Sequence, residues 1–230
     1  MTKRKLERFA ELKTFPNVIE ILYDDIKNST FSLKGMWNVN VFKNNNPIVL
    51  ELGCGKGEYT TGLAKKYPEK NFIGIDIKGA RIWKGAKTAI DENLNNVFFI
   101  RSRIELINKI FGPSEINEIW ITFPDPQPKK PRKRLTSSRF LNLYKNFLKP
   151  NALIHLKTDN YILYEYTLNL ISSNKLKIIE YTSDLYNCDC HSEAKEIQTF
   201  YEKKFANEGI SIKYLKFIIN NEKAIIEPEK

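Results

Sequence analysis

The sequence predicts an α/β fold with a mostly parallel sheet and helices on both faces, and three observations indicate it. From residue 47 onward, apolar segments of strand length alternate with segments of helical period. The connections between these segments are short, as in parallel sheets built from strand–helix–strand units. The chain of 230 residues, 42% apolar, is long enough for one ample core. Together these features predict a single domain of Rossmann type.

The elements follow one another regularly along the chain. Apolar runs predict strands at Ile48–Leu52, Asn71–Asp76, Val97–Ile100, Ile116–Phe123, Ala152–Lys157 and Leu176–Tyr181. Helical periodicity predicts helices at Gly57–Tyr67, Ala80–Asp91, Ile104–Phe111, Ser138–Leu148 and Tyr161–Ser172. A helix at Ile197–Phe205 and a strand at Ile212–Ile219 complete the pattern. We treat residues 1–46 as a basic N-terminal extension and residues 47–230 as the main part of the same domain.

The charge distribution predicts a polyanionic partner. Lys and Arg total 37 against 27 Asp and Glu, which gives a formal net charge of +10. Between Lys129 and Lys149 the chain carries eight cations and no acidic residue. A second cluster, at Lys3, Arg4, Lys5 and Arg8, is either a further contact with phosphates or a solvated tail.

The sequence also indicates where the protein works and what it lacks. No apolar run approaches the roughly 20 residues of a membrane span, and the charged N-terminus does not resemble a secretory signal, so we expect a cytoplasmic protein. The cysteines Cys54, Cys188 and Cys190 are expected to be free thiols. The segment Cys188–His191 lacks a second, spaced ligand pair, so no metal is expected. Monomer and homodimer both remain open.

A glycine-rich loop follows the first predicted strand and indicates a cofactor pocket. Gly53, Gly55 and Gly57 permit a tight turn and a close approach of backbone to a ligand. Their spacing differs from the fingerprint of dinucleotide-binding folds, and Glu51 precedes them. A carboxylate suits the cationic end of a ligand better than a pyrophosphate, so S-adenosylmethionine (SAM), with its sulfonium and ammonium groups, fits this loop.

The ends of the next two strands extend this pocket. Asp76 ends the second strand, where a carboxylate can accept hydrogen bonds from both hydroxyls of a ribose. The segment Arg101–Arg103 follows the third strand, and we expect Arg103 or Ser102 to contact adenine there. SAM is therefore expected to lie across these strand ends.

The fourth strand ends in a proline-rich and basic loop. Prolines fix φ, so Asp125, between Pro124 and Pro126, is expected to be held rigidly at the mouth of the pocket. The cations that follow are candidates for contacts with RNA phosphates, namely Lys130, Arg132, Lys133 and Arg134.

At this point the chain resembles the bacterial tRNA (guanine-N(7)-)-methyltransferases over roughly residues 48–217. The resemblance depends on six motifs: Glu51–Gly57, Gly74–Asp76, Phe123–Pro126, Lys129–Lys130, Lys157–Asp159 and Thr199–Glu202. It implies a Rossmann-like SAM-dependent methyltransferase that methylates N7 of a guanosine in the variable loop of tRNA (conventional position 46). This chain departs from the family pattern at Gln127, at Arg103 and in a shorter basic segment after Pro131.

The resemblance also implies roles for individual residues. Glu51, Asp76 and Asp125 match the acids of the SAM site, and Asp125 matches the catalytic position. The expected substrate contacts are Lys129, Asp159, Thr199, Phe200, Tyr201 and Glu202.

Other functions remain as alternatives. A SAM-dependent enzyme acting on another RNA base is disfavoured for exocyclic amines, because the Pro-Pro motif of such enzymes is absent. A catalytically inactive SAM- and RNA-binding module would be expected to lose Glu51, Asp76 or the glycines, and all are present. A nicotinamide dehydrogenase is disfavoured by the loop spacing and because His155, inside an apolar strand, is expected to be a core residue.

Overall fold

The strands form one twisted sheet whose order crosses over at its centre. A computed structural model describes residues 3–27, 31–189, 193–219 and 223–228. Eight strands lie in the order β1-β4-β3-β2-β5-β6-β8-β7. Those from β1 to β6 pair in parallel, and β8 is antiparallel to both β6 and β7. Their bounds are β1 Val18–Glu20, β2 Ile48–Leu52, β3 Asn71–Asp76, β4 Val97–Arg101, β5 Ile116–Thr122, β6 Leu148–Thr158, β7 Lys177–Thr182 and β8 Lys213–Ile218.

Helices connect the parallel strands, so the predicted α/β class is confirmed. Their bounds are α1 Lys3–Leu12, α2 Glu58–Lys66, α3 Gly79–Asp91, α4 Ile107–Ile110, α5 Ser138–Tyr144, α6 Tyr161–Ser173 and α7 Phe200–Asn207. The largest boundary errors are the end of α5 and the start of β6, each four residues earlier than predicted, because Leu148 joins β6 and pairs with Ile116 of β5. Strand pairing with a distant segment decides both boundaries.

The sheet has an apolar core on each face. Ile48 and Leu50 of β2 pack into one cluster, whereas Val49, between them, packs into the other. This division follows the alternation of side chains along a strand. Every residue of β2 and β3 is buried, as expected for central strands covered by helices on both faces.

Residues 3–27 and 31–47, which precede β2, belong to the packed structure. β1 adds a strand beside β4, and Leu12 of α1 is fully buried. Trp37 is also fully buried, and its indole donates a hydrogen bond to the carbonyl of Ile110 at 3.1 Å. The Glu115 carboxylate accepts from the backbone N–H of Trp37 at 3.0 Å. The sequence pattern did not predict α1 and β1, because β1 depends on pairing with β4 and α1 depends on packing against α3.

The cysteines are in different states. Cys54 is free and buried, but Cys188 is in a disulfide, so the prediction of free thiols is wrong for that residue. Cys190 and His191 lie outside the described residues.

Among the helices of the described ranges, none combines the length and apolar character that crossing a bilayer requires.

Three glycines surround the Phe99 ring where α2 and α3 meet the sheet. A Cβ at Gly57 would lie 2.7 Å from the ring, and one at Gly74 would lie 2.8 Å from it. A Cβ at Gly85 would lie 2.8 Å from the ring and 2.7 Å from the carbonyl oxygen of Lys56. Contacts this short exclude any side chain, so α3 approaches the glycine loop as closely as backbone permits.

We expect Gly85→Ala to lower the free energy of unfolding by about 1–3 kcal/mol, because the new methyl group overpacks this contact. Alanine in an ordinary helix position would instead raise it by up to about 1 kcal/mol. The matched control is Lys84→Ala at the neighbouring exposed position. Urea denaturation measures both variants, and a Gly85→Ala protein as stable as the wild type would contradict the packing argument.

Candidate active site

The glycine loop crosses from the end of β2 over the end of β3. The backbone N–H groups of Gly53 and Cys54 both donate to the carbonyl of Ile75, at 2.8 and 3.0 Å. Gly53, Gly55 and Gly57 all have positive φ, between 55° and 74°, where glycine has no steric penalty. A Cβ at Gly53 would meet nothing within 4 Å, so the backbone there borders open space. The loop therefore presents bare backbone to a ligand.

Glu51 lies under this loop as a buried carboxylate. It accepts hydrogen bonds from the Thr60 backbone N–H at 2.9 Å, from the Thr60 hydroxyl, and from the Thr122 hydroxyl at 2.7 Å. Burial raises the pKa of Glu51 to about 7, although these three hydrogen bonds act in the opposite direction. A cation placed beside this buried carboxylate would stabilise its ionised form.

Asp76 has two roles at the end of β3. Its carboxylate accepts from the Gly55 backbone N–H at 3.0 Å, which fixes the loop, and from the Lys78 N–H at 2.8 Å, at the start of α3. Each carboxylate oxygen has a second lone pair, so both can still accept from ligand hydroxyls. Ser102 follows β4, and its backbone N–H donates to the Asp76 carbonyl at 3.1 Å.

A pocket opens above Glu51 between the glycine loop, β5 and α7. Its wall consists of Glu51, Gly53, Cys54, Gly55, Lys56, Glu58, Tyr59, Arg81, Thr122, Phe123, Thr199 and Tyr201. The Tyr59 hydroxyl in this wall and the Ser102 hydroxyl outside it, just after β4, are buried and have no hydrogen-bond partner within the described ranges. The exposed loop backbone, the buried carboxylate and these unpaired hydroxyls fit a ligand with a cationic end and a ribose.

Asp125 lies outside the wall of this pocket, on a strained loop. Phe123 and Gln127, on either side of Pro124–Pro126, have φ of 47° and 46°, a region that residues with a side chain rarely adopt. The Phe123 N–H donates to the Lys157 carbonyl at 2.8 Å, and the Gln127 N–H donates to the Asp125 carboxylate at 3.0 Å. Asp125 itself is exposed. The turn therefore presents this carboxylate to solvent at the carboxyl end of β5.

The basic residues after Asp125 divide into two groups. Lys129, Lys130, Arg132 and Lys133 are exposed. Arg134 is only 5% exposed: its Nε donates to the Pro126 carbonyl at 3.0 Å, and its guanidinium lies 4.3 Å from the centre of the Tyr166 ring. Arg134 therefore stabilises the loop from the protein interior and is not part of the exposed basic surface.

The Thr199–Glu202 segment is the start of α7 and forms a capping box. The Glu202 N–H donates to the Thr199 hydroxyl and the Thr199 N–H donates to the Glu202 carboxylate. Thr199 and Tyr201 line the pocket, and Phe200 is exposed. Glu202, predicted as a substrate contact, is fully buried and points into the protein instead. The helical pattern placed this start three residues early, although the T-x-x-E signal was present in the sequence.

Lys157 of β6 is a buried partner that sequence reasoning missed as a site residue. Its ammonium lies 2.5 Å from the Glu202 carboxylate and donates to the carbonyls of Ala194 and Ile197. Burial lowers the pKa of Lys157, and the contact with Glu202 opposes this shift. The pair ties β6 to the segment that carries Thr199 and Tyr201. A lysine within an apolar strand was the signal that could have identified it.

The remaining predicted residues lie around the pocket. Asp159 is half-buried just after β6, and its carbonyl accepts from Lys213 at 3.1 Å. Arg103 is exposed after β4. The pocket wall therefore brings together Glu51, Gly53, Gly55, Thr199 and Tyr201, whereas it does not include Gly57, Asp76, Arg103, Asp125, Lys129, Asp159, Phe200 and Glu202.

His155 is fully buried, as predicted for a core residue. With Glu118 and Glu193 it forms a group whose potential metal-ligand atoms lie within 4.8 Å of one another. Both carboxylates already have cationic partners, because Lys70 contacts Glu118 at 3.2 Å and Lys216 contacts Glu193 at 2.7 Å. These contacts describe a partly buried polar network around His155 that joins β5, β6 and β8 to the segment of Glu193.

The fold and the pocket define a class, the Rossmann-like SAM-dependent methyltransferases. A family model described as "Putative methyltransferase" matches residues 45–215. Two solved methyltransferase structures share the fold: an antibiotic-related methyltransferase (TM-score 0.60, 17% identity, 82% of this chain and 95% of that one) and a 30S ribosomal A1408 methyltransferase from an uncultured bacterium (TM-score 0.56, 20% identity, 78% and 90%).

Closer relatives are named tRNA (guanine-N(7)-)-methyltransferase. One from Bacteroides fragilis (strain YCH46) is 47% identical over all of this chain and 91% of its own length. One from Christiangramia forsetii is 51% identical over 95% of this chain and 99% of its own. The chain belongs to the tRNA (guanine-N(7)-)-methyltransferase family. The class and family predicted from the sequence are confirmed.

The buried Glu51 carboxylate generates a prediction about pH. Because its pKa in the folded protein lies above the usual value of 4.5, the folded state holds a proton that the unfolded state has lost between about pH 4.5 and 7. The contribution of Glu51 to the free energy of unfolding is therefore largest below pH 4.5 and is lost as the pH rises through 7. Relative to Glu51→Gln, the wild type should lose up to about 3 kcal/mol across that range.

Urea denaturation of both proteins at several pH values measures this difference, and groups common to both cancel. Glu69→Gln, at an exposed position, controls for the change in net charge. A difference between wild type and Glu51→Gln that does not vary with pH would rule out the proposed titration.

The buried Lys157–Glu202 pair generates a second prediction. Lys157→Met should lower the free energy of unfolding by about 3–5 kcal/mol, because it leaves a buried carboxylate without its partner. The double variant Lys157→Met/Glu202→Gln should recover part of that loss. Lys204→Met, which breaks an exposed pair with Glu208, is the control and should change little. Equal stability of the single and double variants would show that no unpaired charge was created.

Proposed function

We propose that this protein transfers a methyl group from SAM to N7 of a guanosine in the variable loop of tRNA. The relatives' names support the reaction and the substrate. The observation that carries the proposal is the placement of Asp125. Its carboxylate stands on a strained turn at the carboxyl end of β5, the strand that also supplies Thr122 to the pocket, and the exposed cations follow at once.

Glu51, Gly53, Gly55 and Asp76 would hold SAM, which supplies an electrophilic methyl group when bound. Glu51 suits a cationic group because a neighbouring cation would stabilise the ionised carboxylate. That attraction would offset the free-energy cost of burying the negative charge. Asp76 would accept from the ribose hydroxyls. Gly57 contributes indirectly, through the close packing on Phe99. We retain Arg103 or Ser102 as the adenine contact, and the unpaired hydroxyl of Ser102 favours the serine.

Asp125 would orient the guanine. N7 carries an exposed lone pair and no proton, so the reaction requires no base at the nucleophile. Asp125 or Asp159 would accept hydrogen bonds from N1–H and the N2 amine of the guanine and thereby fix the direction of N7. The negative charge of Asp125 would also balance the cationic product. The rigid turn favours this role, since it holds the carboxylate in place before substrate arrives.

The other residues would bind the RNA. Lys129, Thr199, Phe200 and Tyr201 remain candidates for substrate contact, and Lys130, Arg132 and Lys133 for phosphate contact. Arg134 and Glu202 would act through others, because both are buried and hold the segments that carry the contact residues.

The wider setting is proposed on the same basis. A tRNA-modifying role favours a cytoplasmic location. Residues 1–46 would form an extension of the domain at 47–230, an assignment that the β1–β4 pairing and the buried Trp37 support. Lone-pair attack by N7 calls for no metal. Monomer and homodimer remain equally compatible with the proposal.

Asp125→Asn should lower turnover much more than it lowers tRNA affinity, because it keeps the shape of the side chain and removes its charge. Incubation with labelled SAM and unmodified tRNA, followed by digestion and mass analysis, should identify 7-methylguanosine in the wild-type product. Asp184→Asn, on a separate loop, is the control. A methyl on carbon, an exocyclic amine or a ribose oxygen would refute the reaction, and wild-type turnover by Asp125→Asn would refute the role of Asp125.

A further inference from the structure

A groove runs between the basic loop after β5 and the beginning of α6. We call it the α6 groove. Its walls are formed by Lys130–Arg134, Arg139, Tyr161, Ile162, Glu165, Tyr166, Asn169, Glu227 and Pro228. It lies on the side of the candidate active site, since α6 begins two residues after Asp159 at the carboxyl end of β6. Strand β6 pairs in parallel with β5, and the loop after β5 carries Asp125.

Two large apolar side chains are exposed at this groove. Tyr161 is 59% exposed and Ile162 is 62% exposed, whereas the next two residues of α6, Leu163 and Tyr164, are buried. The helix therefore begins with an apolar surface that its own core does not use. Exposed apolar surface of this kind, bordered by polar groups, is typical of an interaction site.

The border of the groove is strongly cationic. Lys130, Arg132, Lys133 and Arg139 are exposed along one side. Two acids line the groove, Glu165 and Glu227, and the Glu227 carboxylate accepts from the Ser138 hydroxyl at 2.9 Å. A second Glu227 oxygen accepts from Tyr166 at 2.6 Å. The groove thus combines exposed cations with an exposed aromatic ring.

We propose that the α6 groove binds an unpaired nucleotide next to the target guanosine, with its base stacked on Tyr161 and its phosphates beside Arg132 and Lys133. Cations along a backbone path together with an aromatic platform are the usual elements of single-strand recognition. A guanosine that enters an active site must leave its stack, so its neighbour loses a stacking partner that Tyr161 would replace. This inference rests on the proposed function.

The charge of the groove favours RNA over a second copy of this chain. In a symmetric dimer the same surface would meet itself, so the four exposed cations would face four more. Like charges brought together in this way repel each other, whereas a phosphate backbone is attracted.

The test compares tRNA affinity of Tyr161→Ala and Tyr161→Phe over a range of salt concentrations. Loss of the ring should weaken binding by about 5- to 100-fold, the effect of one lost base stack. The slope of log affinity against log salt should stay unchanged, because no cation is removed. Tyr161→Phe should bind like the wild type. Tyr181→Ala removes a ring of similar exposure from β7 and should have no effect.

The double variant Arg132→Ala/Lys133→Ala should change the salt dependence of binding. Its slope of log affinity against log salt should be shallower than that of the wild type by roughly 0.7–0.9 for each lost contact. Calorimetry with SAM should give the same affinity for every variant, which shows that each protein is folded. A 2-aminopurine placed beside the target guanosine should be quenched by the wild type and by Tyr161→Phe, but not by Tyr161→Ala.

Three results would overturn the inference: wild-type tRNA affinity of Tyr161→Ala, equal quenching by all variants, or a change in sedimentation on Tyr161→Ala, which would mark the groove as a contact between copies. The product formed by the wild type is determined separately. If the wild type methylates guanine N7 and Tyr161→Ala binds normally, the inference alone fails. If the wild type forms no 7-methylguanosine, the proposed function fails.

Discussion

The parallel pairing of β2 with β3 on one side and with β5 on the other is the constraint on which the site depends. In this register Glu51 lies beside Gly74 and beside Trp120, so the three strands end at the same edge. Parallel strands that point the same way bring their carboxyl ends together, and the loops that follow meet there. Residues far apart in the sequence, such as Glu51 and Thr122, are thereby placed within hydrogen-bond distance.

Buried charge near this edge is stabilised by groups from several elements. Glu51 obtains its hydrogen bonds from α2 and β5, and Lys157 obtains its partner from α7. A buried charge is costly unless it is paired, so these contacts also fix the relative positions of the elements that supply them. The glycine loop and the start of α7, which both line the pocket, are consequently held in place by the same sheet.

Backbone conformation supplies the remaining rigidity. The positive φ values of Phe123 and Gln127 persist because surrounding contacts determine them, among them the hydrogen bond from Phe123 to Lys157 and the packing of the Phe123 ring 6.0 Å from that of Phe205. Arg134 supports the same turn from below. Asp125 therefore stands on a prearranged loop, while the α6 groove beside it offers cations and an aromatic ring to an extended chain.

The sequence by itself determined the α/β class, most strands and helices, the glycine loop and the acids at the strand ends, because these depend on local periodicity and turn chemistry. Strands β2 and β3 match their predicted bounds for this reason. Only the tertiary structure decided that β1 joins the sheet, that Arg134 and Glu202 are buried, and that Tyr161 is exposed. Burial and pairing depend on neighbours contributed by distant segments, so local patterns do not determine whether a charged side chain faces a ligand or braces a loop.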